Sequence, residues 1–304
     1  MGKADDLLSG AIDMHFHGYP EFSLDVPRRY TDEESARIMV KAGMRGVVLK
    51  SHFWPTTGLA YYLRQAVPEL EVFSSITFNS SVGGITKWAL ESAIKQGVKV
   101  VWMPSWSAQN DIRRNGVIHL IRRYLPSVEK YTEKDGVAII DERGELFPEI
   151  KQILSLIKEY DVALFTSHVS ILESLALARE AKQIGFNKLI LNHPDSKSIG
   201  ASFEQIVEMA TLGAYVEICA LGLMPMYLRI TPNELKKIIH TIGASRCILT
   251  SDYAFDWSSS GPEMLRLLIA SLLEVGVQAD EIAEMAQANP KKLLNLKSSA
   301  NPLT

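Results

Sequence analysis

The stretch Ile12-Asp13-Met14-His15-Phe16-His17-Gly18 alternates apolar and polar residues and contains two histidines. Side chains alternate between the two faces of a β-strand, so the pattern predicts a strand on which His15 and His17 point the same way. Two neutral imidazoles side by side at the end of a strand suit zinc or a similar divalent ion. Such a pair is a weak sign by itself, because a His-x-His pair inside a strand is common, so the rest of the chain must decide its meaning.

The rest of the chain alternates strand-like and helix-like segments. After the first strand, the predicted strands are residues 46–52, 71–78, 98–104, 162–168, 189–193, 214–220 and 247–252. Eight strands, each followed by helical sequence, predict an α/β fold of the closed parallel (β/α)₈ or TIM-barrel type. A doubly wound open sheet is the alternative, but Gly18-Tyr19-Pro20 is not the Gly-x-Gly-x-x-Gly turn that favours it.

The longest interruption of this alternation follows the fourth predicted strand. We predict a single domain over residues 1–304, with residues 105–146 inserted into it. A segment of this size after the C-terminal end of a strand lies where an active-site cover belongs.

Composition excludes several classes of protein. The 304 residues are 47% hydrophobic and 22% charged, as in an average globular protein. The net charge of −3 gives no sign of a nucleic-acid partner, and no apolar run reaches membrane-spanning length. The start of the chain does not read as a signal peptide, and Cys219 and Cys247 both lie in apolar strand-like runs. We therefore expect a cytoplasmic protein that acts on a small molecule, and we leave a homo-oligomer open.

Most of the histidines share one location. Five of the seven fall at the C-terminal ends of predicted strands, namely His15, His17, His52, His168 and His193. The eighth predicted strand ends in Asp252. In a barrel all these strand ends converge on one rim, so residues far apart in sequence become neighbours there. The clustering predicts a metal site that includes His15, His17, His168 and Asp252.

With these residues the chain resembles the amidohydrolase superfamily of metal-dependent hydrolases, and it looks most like an uncharacterised, amidohydrolase-related group within it. The matching pieces are His15-Phe16-His17, His168, His193, Asp252, Asn289-Pro290 and Leu293-Leu294. The resemblance covers nearly the whole chain. It implies a divalent metal, with zinc expected, as one or two ions. The candidate ligands are His15, His17, Lys50, His168, His193 and Asp252.

Lys50 is where the chain departs from the superfamily. Members with two metals often bridge them with a carboxylated lysine after strand four, but here that strand ends Trp102-Met103-Pro104-Ser105. Lys50, after strand two, is the only lysine at the end of a predicted strand. It could be carboxylated and bridge two ions, remain an ammonium that binds an anionic substrate, or pair with a carboxylate such as Glu217.

The resemblance implies hydrolysis of an amide, cyclic amide or ester bond by a metal-activated water. Asp252 would accept the proton from that water and pass it to the leaving group. His193 would hold a second metal or polarise the substrate carbonyl, and Lys50 completes the candidate catalytic residues.

Further residues are candidates for substrate binding: His52, Trp106, Arg113, Glu217 and Tyr253. His52 lies beyond Lys50 on the same predicted strand face, whereas Glu217 sits in an apolar strand and needs a cationic or metal partner.

Two other functions compete with hydrolysis. Related barrels with one metal and a free histidine resemble decarboxylases of small aromatic acids. Here Arg113 could reach the carboxylate of such a substrate, and four aromatic residues that follow strands could wall it: Trp54, Trp106, Tyr253 and Trp257. A non-catalytic metal-binding barrel is the third hypothesis. It is the weakest, because a structural site does not need a proton acceptor such as Asp252.

Overall fold

A barrel of eight parallel strands is the centre of the molecule, as described by residues 2–132 and 136–297 of this computed structural model. The strands are β1 (Ile12–His17), β2 (Gly46–Lys50), β3 (Glu71–Thr77), β4 (Val98–Trp102), β5 (Ala163–Phe165), β6 (Leu189–Leu191), β7 (Tyr215–Cys219) and β8 (Cys247–Thr250). They pair side by side in chain order, all in parallel. The barrel closes where Asp252 N donates to His15 O at 2.9 Å and His17 N to Tyr253 O at 3.0 Å. The predicted TIM barrel is confirmed.

Helices surround the barrel. They are α1 (Lys3–Leu8), α2 (Asp32–Lys41), α3 (Thr57–Ala66), α4 (Lys87–Lys95), α5 (Gln109–Arg114), α6 (Ile118–Tyr124), α7 (Glu129–Thr132), α8 (Pro148–Glu159), α9 (Ile171–Ile184), α10 (Phe203–Thr211), α11 (Pro232–Ile242), α12 (Gly261–Glu274), α13 (Ala279–Ala283) and α14 (Asn289–Leu293). Side-chain caps start several of them. The hydroxyls of Thr31, Ser170 and Thr231 each accept the backbone N–H three residues later, as their sequence spacing predicts. In the described part of the chain, no helix has the length and apolar character needed to cross a membrane.

Two apolar cores lie on the two sides of the sheet. Outside the strands, a large cluster joins the sheet to the helices. Inside the barrel, a smaller cluster fills the lumen: Ile12, Met14, Val48, Phe73, Val100, Trp102, Ala163, Phe165, Ile190, Tyr215, Ile248, Leu293 and Leu294. The lumen is therefore a packed core, and polar chemistry is confined to the rim above it.

Several strands end earlier than the sequence predicts, so the polar residues of the rim follow the strands rather than belonging to them. His52, His168, His193 and Asp252 all lie beyond the last strand residue. Ser167 and Asp252 adopt left-handed backbone angles, each with φ of 51°. Such a conformation is unfavourable for a residue with a side chain, and it is typical of functional sites that need one side chain aimed in a particular direction.

The segment after β4 contains α5, α6 and α7, and Ile140 pairs with Leu146 in an isolated antiparallel bridge. Residues 133–135 of the predicted segment 105–146 lie outside the described residues, as do Met1 and residues 298–304 of the predicted domain 1–304. Asn115, Gly116 and Val117 from this segment line the cavity above the barrel. Its function as a cover stays a prediction.

Candidate metal centre and active-site cavity

Three ligand atoms from β1 and the end of β8 converge on one point of the rim. His15 Nε2 lies 3.2 Å from His17 Nε2, and Asp252 Oδ1 lies 3.0 Å from His15 Nε2 and 3.1 Å from His17 Nε2. All three residues are buried. Burial alone would raise the pKa of Asp252, but His15 and His17 hold it well below its ordinary value. Asp252 is therefore a carboxylate facing two imidazoles.

A bulge in β1 aims these imidazoles. The pairing of β1 with β2 gains one residue on β1 between Asp13 and Phe16. Met14 therefore packs in the lumen below, while the adjacent His15 also faces inward, against Trp102 at 4.7 Å between ring centroids. The Asp13 carboxylate accepts the N–H groups of His15 and Ser251 at 3.0 and 3.1 Å, so it ties β1 to β8 directly beneath the ligands.

Glu217, in the middle of β7, determines which nitrogen of His15 faces the site. His15 Nδ1 lies 2.8 Å from Glu217 Oε1 and donates its proton there, which leaves the Nε2 lone pair for the site. Glu217 also accepts from Thr250 Oγ1 at 2.8 Å and from the backbone N–H of His193 at 2.6 Å. The carboxylate therefore orients His15 and fixes the turn that carries His193.

This arrangement fits a divalent cation. Burial lowers the pKa of His15, but Asp252 and Glu217 raise it above its ordinary value, so without a metal a proton on Nε2 would lie between Nε2 and Asp252 Oδ1, which are 3.0 Å apart. A divalent ion would take the place of that proton. In a tetrahedral zinc site with bonds of about 2.0–2.1 Å, neighbouring ligand atoms are about 3.3 Å apart. The three separations of 3.0–3.2 Å are close to that value. Two imidazoles and a carboxylate are also ligands that zinc prefers.

Glu21, in the loop after β1, contacts both His17 and His52. His52 Nδ1 donates to Glu21 Oε1, and the backbone N–H of His52 donates to the same oxygen at 3.1 Å. His17 Nδ1 lies 2.9 Å from that oxygen, without hydrogen-bond geometry. These three side chains also form a candidate cation group. However, Glu21 Oε1 already accepts two hydrogen bonds from His52, which favours a carboxylate that orients His52 as Glu217 orients His15.

His52 presents its other nitrogen to the cavity as an acceptor. Burial lowers the pKa of His52 to about 4, although Glu21 opposes this shift. The ring is therefore neutral near pH 7, and because Nδ1 donates to Glu21, Nε2 carries the lone pair.

Asp111, from α5, orients His168. Its Oδ2 lies 2.7 Å from His168 Nδ1, and its carboxylate accepts the backbone N–H groups of Val117 and Ile118. Burial opposes ionisation of Asp111, but His168 and these hydrogen bonds lower its pKa. His168 is thus held with Nε2 directed away from the carboxylate, and it lines the cavity.

Lys50 and His193 complete the floor of the cavity. Lys50 Nζ lies 3.0 Å from His15 Nε2 and 4.3 Å from the ring centroid of Trp102. Burial lowers the pKa of Lys50, and no ion pair of Lys50 with a carboxylate occurs within the described ranges. Of the three alternatives for Lys50, direct pairing with Glu217 does not occur in the described residues, because Glu217 contacts His15 instead. Burial also holds the pKa of His193 well below its ordinary value, and none of the described residues forms a hydrogen bond with its Nδ1.

A cavity of about 390 Å³ opens above this floor. The predicted site residues that line it are His17, Lys50, His52, His168, His193 and Asp252. The outer wall is largely apolar, with residues from the loops after β7 and β8 and from the segment after β4. A volume of this size accommodates a small molecule.

The remaining predicted substrate-binding residues do not line the cavity. Trp106 is buried and donates its Nε1–H to His52 O at 2.9 Å, while Tyr253 is buried and stacks on Phe16 at 4.8 Å. Arg113 is exposed on α5. Glu217 is buried behind His15. Substrate contact by these four residues stays a prediction.

Sequence reasoning missed Glu21 and Asp111. Both lie in loop or inserted sequence without a periodic pattern, so no local signal marks them. The available signal was indirect. Each rim imidazole needs a partner for its second nitrogen, and a carboxylate is a common choice.

A family model described as a family of unknown function (DUF6282) matches residues 10–217. No curated protein matches this sequence. The fold is similar to the probable dipeptidase PvdM from Pseudomonas aeruginosa, with a TM-score of 0.65, 13% identity and 96% of each chain covered. It is also similar to an amidohydrolase from Burkholderia multivorans (TM-score 0.60, 12% identity, covering 94% of this chain and 99% of that one). A third neighbour is the 2,6-dihydroxybenzoate decarboxylase from Rhizobium (TM-score 0.58, 11% identity, 95% and 99% covered).

Proposed function

The chain belongs to the family of unknown function DUF6282, and we propose that it is a metal-dependent hydrolase of the amidohydrolase type. It would cleave an amide, cyclic amide or ester bond of a small molecule with a metal-activated water. The observation that carries this proposal is the convergence of His15 Nε2, His17 Nε2 and Asp252 Oδ1 within 3.2 Å of one another at the floor of a cavity. Zinc is the proposed ion, because the donors are imidazole nitrogens and a carboxylate oxygen.

His15, His17 and Asp252 would hold the ion, with His168, His193 and Lys50 as further candidates. When bound, a divalent ion lowers the pKa of a coordinated water and polarises a carbonyl. Asp252 Oδ1 faces the two imidazoles, whereas Oδ2 makes no hydrogen bond within the described ranges, and the residue lines the cavity. Oδ2 is therefore placed to accept a proton and return it to the leaving group. His193, which is buried and neutral, would polarise the substrate carbonyl or hold a second metal ion.

The test is a metal count followed by assays. We would purify the protein without chelators, count metals per chain by elemental analysis, and assay a panel of cyclic amides, N-acyl amino acids and lactones. We expect at least one divalent ion per chain, and hydrolysis that is lost on chelation and restored by Zn²⁺. A protein that takes up no divalent ion, or whose hydrolysis persists in the chelated form, contradicts the proposal.

Decarboxylation of a small aromatic acid is the second candidate. Two observations favour it: one neighbour with this fold is a decarboxylase, and the rings of Phe22, Tyr227 and Phe255 lie at the cavity wall. Release of CO₂ from 2-hydroxybenzoate and its ring-substituted analogues, with no hydrolysis of the panel, would select this reaction. Two metals per chain would favour hydrolysis.

For Lys50 we propose carboxylation. Lys50 Nζ lies 3.0 Å from His15 Nε2 and forms no ion pair with a carboxylate in the described ranges. A divalent ion bound to His15 would therefore repel an ammonium at this position. A carbamate would instead supply anionic oxygens. Lys50→Ala should then lose metal that short carboxylic acids partly restore. If Lys50 is an ammonium that binds substrate, the metal content survives and affinity for anionic ligands falls.

The proposal also includes the location of the protein in the cell and its partners. Cys219 and Cys247 are both free and buried, which supports a cytoplasmic location. A homo-oligomer, and the absence of nucleic-acid and membrane partners, stay predictions.

A further inference from the structure

The outer cavity contains a cation that the proposed hydrolysis does not use. Arg229 lines the cavity from the loop after β7, with its side chain 19% exposed. Its Nε donates to Asp195 Oδ2 at 3.2 Å. Within residues 2–132 and 136–297, neither Nη group donates a hydrogen bond. The two Nη groups therefore keep four N–H donors that no described residue accepts.

The guanidinium is held in place by its surroundings. Asp195 lies behind it with its side chain 8% exposed, and a Cβ at Gly222 would lie only 2.5 Å from Asp195 Oδ2. The backbone N–H of Arg229 also donates to Gly222 O at 3.0 Å. Both the side chain and the backbone of Arg229 are thus fixed, so little freedom remains to be lost when a ligand binds.

The charges and the wall of the cavity indicate what could bind there. Lys197 and Arg229 are cations of the lining, and Asp252 is its only carboxylate in the described chain, while Asp195 pairs with Arg229 from outside the lining. The loops after β7 and β8 contribute apolar residues to the same cavity, and the rings of Tyr227 and Phe255 stack at 5.3 Å between centroids. The cavity therefore favours a molecule with an apolar body and an anionic end.

From these observations, and resting on the proposed function, we infer that Arg229 binds a carboxylate at the end of the substrate remote from the bond that is cleaved. The apolar body of the substrate would lie against Tyr227 and Phe255. A guanidinium whose Nε is occupied still offers its two Nη groups, and these match the planar pair of carboxylate oxygens.

The test compares two ligands that share an uncharged apolar body and differ only in whether the remote end is a carboxylate or an amide. N-acetyl-L-phenylalanine and its C-terminal amide are titrated into metal-loaded protein by calorimetry. We expect the acid to bind about 10- to 100-fold more tightly than the amide, the range for hydrogen bonds to a charged group. Arg229→Gln should remove this preference and leave amide affinity unchanged, while Arg229→Lys should keep part of it. The matched control is Arg179→Gln, which removes an exposed arginine paired with Glu208 and should retain the full preference.

Several results would overturn the inference. Failure of the wild-type protein to bind the acid, equal affinity for acid and amide, or a preference that survives Arg229→Gln would each do so. If the phosphonate analogue binds more tightly than the acid, the inference that Arg229 selects a carboxylate is overturned in favour of a phosphate-like group. If the preference disappears from wild-type protein only when metal is removed, the carboxylate binds the metal instead of Arg229. If the protein takes up no divalent ion but still binds the acid more tightly than the amide, the proposed hydrolysis fails and the inference about Arg229 stands. Amide binding by each variant shows that its cavity is intact.

Discussion

The lower lumen and the upper rim of the barrel are built by the same strands but have opposite character. In β1, Met14 packs among apolar side chains of the lumen, and the next residue, His15, faces a carboxylate and two nitrogen atoms. Residues of the lumen gain stability by leaving water. Residues of the rim place lone pairs and charges close together, at a cost in stability that a bound cation would offset. The two functions therefore fall to adjacent residues of β1.

The largest expected effect is the loss of metal in His15→Ala. Removing one of three converging ligands should abolish bound metal and activity, while the protein keeps its far-ultraviolet circular dichroism and a cooperative thermal transition, because the lumen supplies the stability. His17→Ala should behave in the same way. Unchanged metal content in both variants would remove the metal assignment.

Asp252→Asn should reduce turnover by about 10²- to 10⁴-fold, the usual contribution of a positioned acid or base. The amide oxygen can still face the two imidazoles, so part of the metal should remain. Turnover and metal content are measured on the same preparation. Near wild-type turnover would show that another group accepts the proton.

Met14→Ala tests the other side of the comparison. Truncating this fully buried side chain should lower the free energy of unfolding by about 2–5 kcal/mol, because it leaves a cavity in the lumen. Denaturant unfolding measures the loss, and elemental analysis of the folded variant should show the wild-type metal content. Metal loss in Met14→Ala would mean that lumen and rim are not separable.

The smallest expected effect belongs to Glu217→Gln. The amide keeps the shape of the side chain but weakens the hold on His15 Nδ1, so metal affinity should fall by about 10- to 100-fold. Competition with a chelator measures that affinity. Glu208→Gln, on the exposed face of α10, is the control and should leave it unchanged. A Glu217→Gln protein with wild-type metal affinity would show that this carboxylate does not orient His15.

Much of the fold follows from local patterns. Apolar runs separated by capped helices predict the eight strands in order, and Thr31, Ser170 and Thr231 mark helix starts correctly. These signals are local because strand alternation and capping depend on residues a few positions apart. The strand ends were less accurate, since the backbone leaves the sheet where Ser167 and Asp252 turn into left-handed conformations.

The barrel and the residue types at its rim follow from local sequence, because His15, His17, His168, His193 and Asp252 all lie at or just beyond the end of a strand. The use of each side chain depends instead on contacts between distant parts of the chain. The bulge in β1 aims His15, Glu21 and Asp111 reach imidazoles from loop and inserted segments, and Glu217 contacts His15 rather than Lys50. These contacts join residues up to 202 positions apart. Their geometry depends on how the loops pack over the closed barrel, which no local pattern of residues encodes.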